Sequence, residues 1–92
     1  MVTCEEKNEL MQNGAILLDV RSQSEYDENH LEGAINIEYT ELENKFNDLG
    51  YDKETKIIVY CRSGKRSAIA AETLKKMGYL YIYDLGGISN CQ

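Results

Sequence analysis

The sequence has no proline, no tryptophan and a single histidine, His30. Without proline one marker of element boundaries is missing, so ends read from pattern are good only to a few residues. With one histidine and three scattered cysteines, no metal-ligand spacing is visible, so neither a metal nor a cofactor is expected. No apolar run approaches the roughly 18 residues that span a bilayer, so no membrane association is expected. Residues 1–6 lack a basic region followed by an apolar one, so they do not read as a secretory signal. Basic side chains are scarce: 10 Lys and Arg against 16 Asp and Glu, a net charge of −6. That excludes the broad basic face of a general nucleic-acid binder. Cys4, Cys61 and Cys91 are odd in number and widely spaced. A disulfide framework is therefore not expected, and a reducing, cytoplasmic setting is.

What is present suits one domain over residues 1–92, with 42% hydrophobic residues for one core. Thr3-Cys4-Glu5-Glu6 fits a capping box for a first helix that Asn13-Gly14 ends. Residues 15–20 are apolar up to Asp19, as in a strand covered on both faces. A polar stretch follows, with Ser24-Glu25-Tyr26-Asp27 as a single helical turn, and residues 34–37 form a second short strand. Thr40-Glu41-Leu42-Glu43 repeats the capping-box pattern, with Leu42, Phe46 and Leu49 at helical spacing and Gly50 as the stop. Residues 56–60 are a β-branched strand, 67–77 a helix and 80–83 a last strand. Strands alternating with helices predict an α/β fold with a mainly parallel sheet.

Ligands of such sheets sit beyond the carboxyl ends of the strands. Cys61 follows one such end, Asp19 and Arg21 lie at another, and Gly86 and Gly87 follow a third. The loop Cys61-Arg62-Ser63-Gly64-Lys65-Arg66-Ser67 holds three of the ten basic side chains. A cysteine between a strand end and a helix start meets N–H groups and the helix dipole, both of which favour an anion. Gly64 lets the chain curl into an anion-binding nest, and Ser67 can cap the following helix. Cations and N–H groups lower a thiol from about 8.5 towards roughly 3.5–7.5, where it becomes a nucleophilic thiolate. The plainer reading is a small buried hydrophobe; the polar, cationic flanks argue against it.

Counting excludes other loops. A Walker loop needs glycine at Val59 and Ser or Thr at Arg66. The Cys-x5-Arg of cysteine phosphatases would need arginine at Ser67, and Arg66 falls one residue short. The six residues from Cys61 to Arg66 make a tighter cradle, suited to a smaller anion. Gly64 stands where a redox Cys-x-x-Cys has its second cysteine.

Three segments resemble the signatures of rhodanese-like domains. They are Asp19-Val20-Arg21-Ser22-Gln23-Ser24-Glu25-Tyr26 with His30-Leu31-Glu32-Gly33-Ala34-Ile35-Asn36-Ile37, then Val59 through Ser67, then Gly78-Tyr79 through Asp84-Leu85-Gly86-Gly87-Ile88. The resemblance implies a mainly parallel five-stranded sheet with helices on both faces. It also implies a sulfurtransferase in which Cys61 takes the outer sulfur of thiosulfate or a persulfide and passes it to a thiol or protein acceptor. Arg62, Ser63, Gly64, Lys65, Arg66 and Ser67 would bind the small anionic donor, with Lys65 and Arg66 closing over the sulfur. Asn29 stands where the family commonly has glycine, and Cys91 near its usual tryptophan. A Cys61–Cys91 crosslink is one conceivable consequence, a frayed terminal Cys91 the simpler one. A non-catalytic binding module on the same fold, and an arsenate reductase or phosphatase, remain as alternatives. Asp19 and Arg21 are candidates to line the site, with a structural salt bridge between Arg21 and Glu25 as an equal alternative. For His30 a tie to backbone carbonyls is expected ahead of a general-base role, and for Tyr60 a place in the pocket wall.

Overall fold

The computed structural model describes residues 1–92. Its order is α1 (Cys4–Gln12), β1 (Ile16–Asp19), α2 (Gln23–Glu28), β2 (Ile35–Asn36), α3 (Leu42–Lys45), β3 (Lys56–Cys61), α4 (Lys65–Lys76) and β4 (Tyr81–Gly87), with short 3-10 turns before and after α3 and after β4. The strands form one sheet in the order β2-β1-β3-β4, every neighbour parallel.

Strand alternation divides the core in two. Ile57, Val59 and Cys61 face α3 and α4 with Leu18, Val20, Phe46, Ala70 and Leu74. Ile58 and Tyr60 face the other way with Leu17, Leu31, Leu85 and Ile88, where Leu10, Met11 and Tyr26 of α1 and α2 pack. The sheet is thus covered on both faces, as the continuous apolar strands predicted.

It has four strands, not the five that the family resemblance implied. Along the outer edge of β4, residues 1–3 make one backbone bond, Val2 N–H to Asp84 O (2.9 Å). One bond does not make a ladder.

The Thr3–Glu6 capping box forms, with Thr3 N–H to Glu6 Oε1 at 2.9 Å and Glu6 N–H to Thr3 Oγ at 3.1 Å. The Thr40 box does not: Tyr39–Glu41 is already a 3-10 turn, and α3 starts at Leu42 without a side-chain cap. Tyr39 N–H bonds Val20 O (3.1 Å), which anchors the turn before Thr40. A capping box stands instead at Ser22, whose side chain and backbone exchange bonds with Glu25.

Val59 pairs with Asp84 but Tyr60 pairs with Gly86, so Leu85 is the extra residue of a bulge. Gly86 supplies the left-handed conformation there, at φ +81°.

The Cys61 loop as candidate active site

β3 ends on Cys61, and α4 begins four residues later. Ser67 was expected to cap that helix; the helix starts earlier, at Lys65, with Gly64 in the cap position at φ +102°. That left-handed residue turns the chain sharply enough for the first N–H groups of α4 to meet the sulfur. Cys61 Sγ accepts from Gly64 N–H at 3.0 Å and from Ser67 N–H at 3.3 Å. Ser67 is fully buried, and its hydroxyl donates to Gly64 O at 3.0 Å. Burial pushes the Cys61 thiol up, but the Ser67 side chain and the N–H groups of Ser67, Gly64 and Ser63 outweigh it and hold the thiol below its ordinary value. The loop can therefore hold an anionic sulfur.

The three cations part company. Arg66 makes a two-pronged pair with Glu25 of α2, Nη1 to Oε1 at 2.7 Å and Nη2 to Oε2 at 2.9 Å. The Arg66 hydrogen bonds hold the Glu25 carboxyl at about 2. Arg62 and Lys65 are exposed and enter no ion pair. So Arg66 is committed to Glu25 of α2, while the Lys65 side chain is exposed beside the loop.

Arg21 pairs with Asp19, not with Glu25: Nη2 lies 2.7 Å from Asp19 Oδ2 and 2.6 Å from Asn29 O. Those Asp19 contacts lift the guanidinium further above its ordinary value. Tyr60 faces away from Cys61, because adjacent strand residues point to opposite faces. Its hydroxyl donates to Asp19 Oδ2 at 2.7 Å and accepts from Leu31 N–H at 3.1 Å. Burial, reinforced by the Asp19 bond, pushes this phenol well up. The network ties the ends of β1 and β3 to the segment before β2. It supports the loop from below and does not line the sulfur. His30 lies at the surface, its Nδ1 2.9 Å from Tyr26 O and its ring stacked on Tyr26, a structural tie as expected.

Gly86 and Gly87 lie under the loop. A Cβ on Gly87 would stand 2.7 Å from Arg62 O, so the backbones meet where no side chain fits. A cleft of about 300 Å³ opens beside the loop, lined by Arg62, Arg21, Glu25, Ile88 and Gln92 among others. The largest cleft, about 540 Å³, lies at the β2 edge and includes no loop residue. Cavity size and chemistry thus point to different places; the chemistry follows the thiol. No three His, Cys, Asp or Glu side chains converge in a way that suits a metal. No helix is long and apolar enough to cross a membrane.

The other two cysteines correct the reading of cysteine count: Cys4 and Cys91 form a disulfide across 87 residues. Wide spacing excluded nothing, because α1 and the turn after β4 meet on the same face of the sheet. Cys61 is the one free thiol. Cys91 packs with the Tyr60 face and Cys61 faces α4, so the two are separated by the sheet and no crosslink joins them.

Sequence reasoning missed the role of Glu25 as the partner of Arg66. A signal existed in Ser22-x-x-Glu25, which fixes Glu25 in the first turn of α2.

The sequence matches the family profile described as a rhodanese-like domain over residues 3–92. It is 36% identical over 73 residues to the thiosulfate sulfurtransferase PspE of Escherichia coli, covering 79% of this chain and 70% of that protein. A solved structure described as rhodanese with anions from E. coli superposes with a TM-score of 0.78 at 34% identity, covering 83% of this chain and 89% of that one. The human single-domain sulfurtransferase TSTD1 superposes with a TM-score of 0.84 at 28% identity, covering 95% and 88%. Of two Bacillus subtilis relatives the chain spans 56% and 33%.

Proposed function

The chain belongs to the rhodanese-like domain family, and on that premise we propose that it is a sulfurtransferase carrying a sulfane sulfur on Cys61. The observation that carries this reading is the placement of Cys61 Sγ under the N–H groups of Gly64 and Ser67, at 3.0 and 3.3 Å. Such a cradle favours an anion of one or two atoms. The Cys61 thiolate attacks the outer sulfur of thiosulfate. The sulfur–sulfur bond of thiosulfate breaks and its electron pair leaves with sulfite, which gives Cys61–S–S⁻. A nucleophilic acceptor, cyanide in an assay or a thiol on a small molecule or protein, then takes the outer sulfur and returns the thiolate. Arg62 and Lys65 draw the anionic donor to the rim. Arg66, braced by Glu25, contributes field from the side of the loop. Cys61 is fully buried, so the donor sulfur reaches it only as rim side chains part.

A phosphatase or arsenate reductase reading would use a loop arginine as an oxyanion ligand, and Arg66 is bound to Glu25 instead. A non-catalytic module would gain nothing from an acidified thiol. The test is intact mass after incubation with thiosulfate. One added sulfur on Cys61 is expected, removed by cyanide with release of thiocyanate, and absent from Cys61→Ser. Neither adduct nor thiocyanate from the parent would sink the proposal.

A further inference from the structure

We propose that the Cys4–Cys91 disulfide is a redox modification site that sets the geometry of the Cys61 loop from behind. Cys91 ends the 3-10 turn Ile88–Cys91, which continues directly from Gly87. Gly87 lies against the loop, 2.7 Å from Arg62 O and 3.6 Å from Ser63 Cα when a Cβ is built on it. Gly86 backs Gly64, whose built Cβ would stand 3.7 Å from Gly86 Cα. Ile88 is buried beside Leu85 and Tyr60, and with Gln92 it walls the cleft that Arg62 lines. Gly87, the last residue of β4 and the point where the turn bearing Cys91 begins, is therefore the backing of Arg62 and Ser63.

That turn has few restraints of its own. Asn90 Nδ2–H donates to Leu85 O of β4 at 2.8 Å, its side-chain bond back to the sheet, and Gln92 N–H donates to Ser89 O at 3.3 Å within the turn itself. The covalent tie runs outward, to Cys4 at the start of α1. Both sulfurs belong to half-buried residues, within reach of a reductant. A dithiol supplies the electrons. One of its thiolates attacks a sulfur of the pair, the Cys4–Cys91 bond breaks, and its second thiol resolves the mixed disulfide. Two electrons and two protons pass to Cys4 and Cys91, and the reductant leaves as its own disulfide. Cys61 takes no part, since it lies across the sheet from Cys91. With the tie opened, residues 88–92 loosen, and Arg62 and Ser63 lose their support.

The regulatory consequence rests on the proposed sulfur transfer at Cys61; the loosening does not. The oxidised parent is compared with Cys4→Ser/Cys91→Ser, because in each Cys61 is the single free thiol. Iodoacetamide should alkylate Cys61 at least about threefold faster in the double variant, as expected of a locally loosened segment. Turnover of thiosulfate and cyanide should fall as the cradle loses its shape. Amide exchange at Arg62, Ser63 and Gly64 in the parent, before and after dithiothreitol, reads the same change without mutation. Equal alkylation and exchange in both redox states overturn the proposal. Global unfolding on reduction, seen by circular dichroism, also overturns it, because the bond would then staple the whole fold. A difference in alkylation with no turnover in either protein removes the sulfurtransferase reading and leaves the redox coupling intact.

Discussion

Replacing Gly87 by alanine adds one methyl group where the backbone, at φ −84° and ψ 147°, suits any residue. The cost is therefore contact and not conformation. The methyl would stand 2.7 Å from the carbonyl oxygen of Arg62 and 3.6 Å from Ser63 Cα. Ordinary contact begins near 3.4 Å, so the two backbones must separate by about 0.7 Å. Neither neighbour is a flexible side chain that can swing aside. Overpacking of this kind costs about 1–3 kcal/mol of stability. The larger effect falls on the sulfur, because Arg62 and Ser63 set where the Ser63 and Gly64 N–H groups stand relative to Cys61. A misplacement near 1 Å costs about a hundredfold in rate, so a loss of roughly 10–100-fold in kcat/KM is expected here. Ile57→Val is the control: it trims a fully buried side chain at the far end of β3 and costs about 0.5–1.5 kcal/mol. Thiocyanate formation and urea unfolding are measured on all three proteins. Turnover within about twofold of the parent in a folded Gly87→Ala protein would refute the argument that Gly87 is needed for close approach.

Tyr60→Phe removes a hydroxyl that serves both Asp19 and Leu31; Asp19 Oδ2 keeps its Arg21 bonds, but the Leu31 N–H loses its acceptor, which should lower stability by about 1–3 kcal/mol. A loss under about 1 kcal/mol in urea would mean that the Leu31 N–H finds another acceptor. The Arg66 hydrogen bonds hold Glu25 at about 2 instead of 4.5. A folded value below the unfolded one contributes stability above about pH 4.5 that is lost as pH falls through about 2. The pair is partly exposed, so after screening its share is about 0.2–1 kcal/mol. Glu25→Gln should flatten that acid limb, and an unchanged limb would count against the pair. Cys61 follows the same sign: burial raises it, the cradle bonds prevail, and the folded value lies below 9.0. The parent should thus gain stability over Cys61→Ser as pH rises from that folded value towards 9.0; parallel stability curves would contradict the lowered thiol.

The strands and the loop were legible in the sequence because continuous apolar runs and the Cys61–Ser67 composition are local signals. The side of the sheet that Cys61 faces follows from counting along β3; the expectation that Tyr60 walls the pocket neglected that count, which puts Tyr60 on the opposite face. What could not be read depends on contacts between distant residues. Glu25 and Arg66 are 41 positions apart; the Ser22-x-x-Glu25 box places Glu25 on α2 but does not name Arg66 as its partner. Arg21 had a carboxylate at hand in Glu25, yet its own strand-end neighbour Asp19 binds it, because both point to one face two residues apart. Cys4 and Cys91 lie 87 positions apart, so their pairing is a property of the folded topology and not of spacing.

The all-parallel sheet bears on how the molecule comes into being. No two neighbouring strands can form as a hairpin, and each pairing has to bridge a helix or a long crossover. The central pair brings Tyr60 to Asp19 across 41 residues. Chain entropy must be lost before such contacts repay it, which places folding on the order of milliseconds to seconds. The cradle cannot exist before β3 and β4 are in register, since Gly86 and Gly87 form its floor. During synthesis and refolding Cys61 is therefore an ordinary thiol, and its acidity arrives only with the finished sheet. Stopped-flow alkylation of Cys61 during refolding would time the completion of the sheet at a single atom.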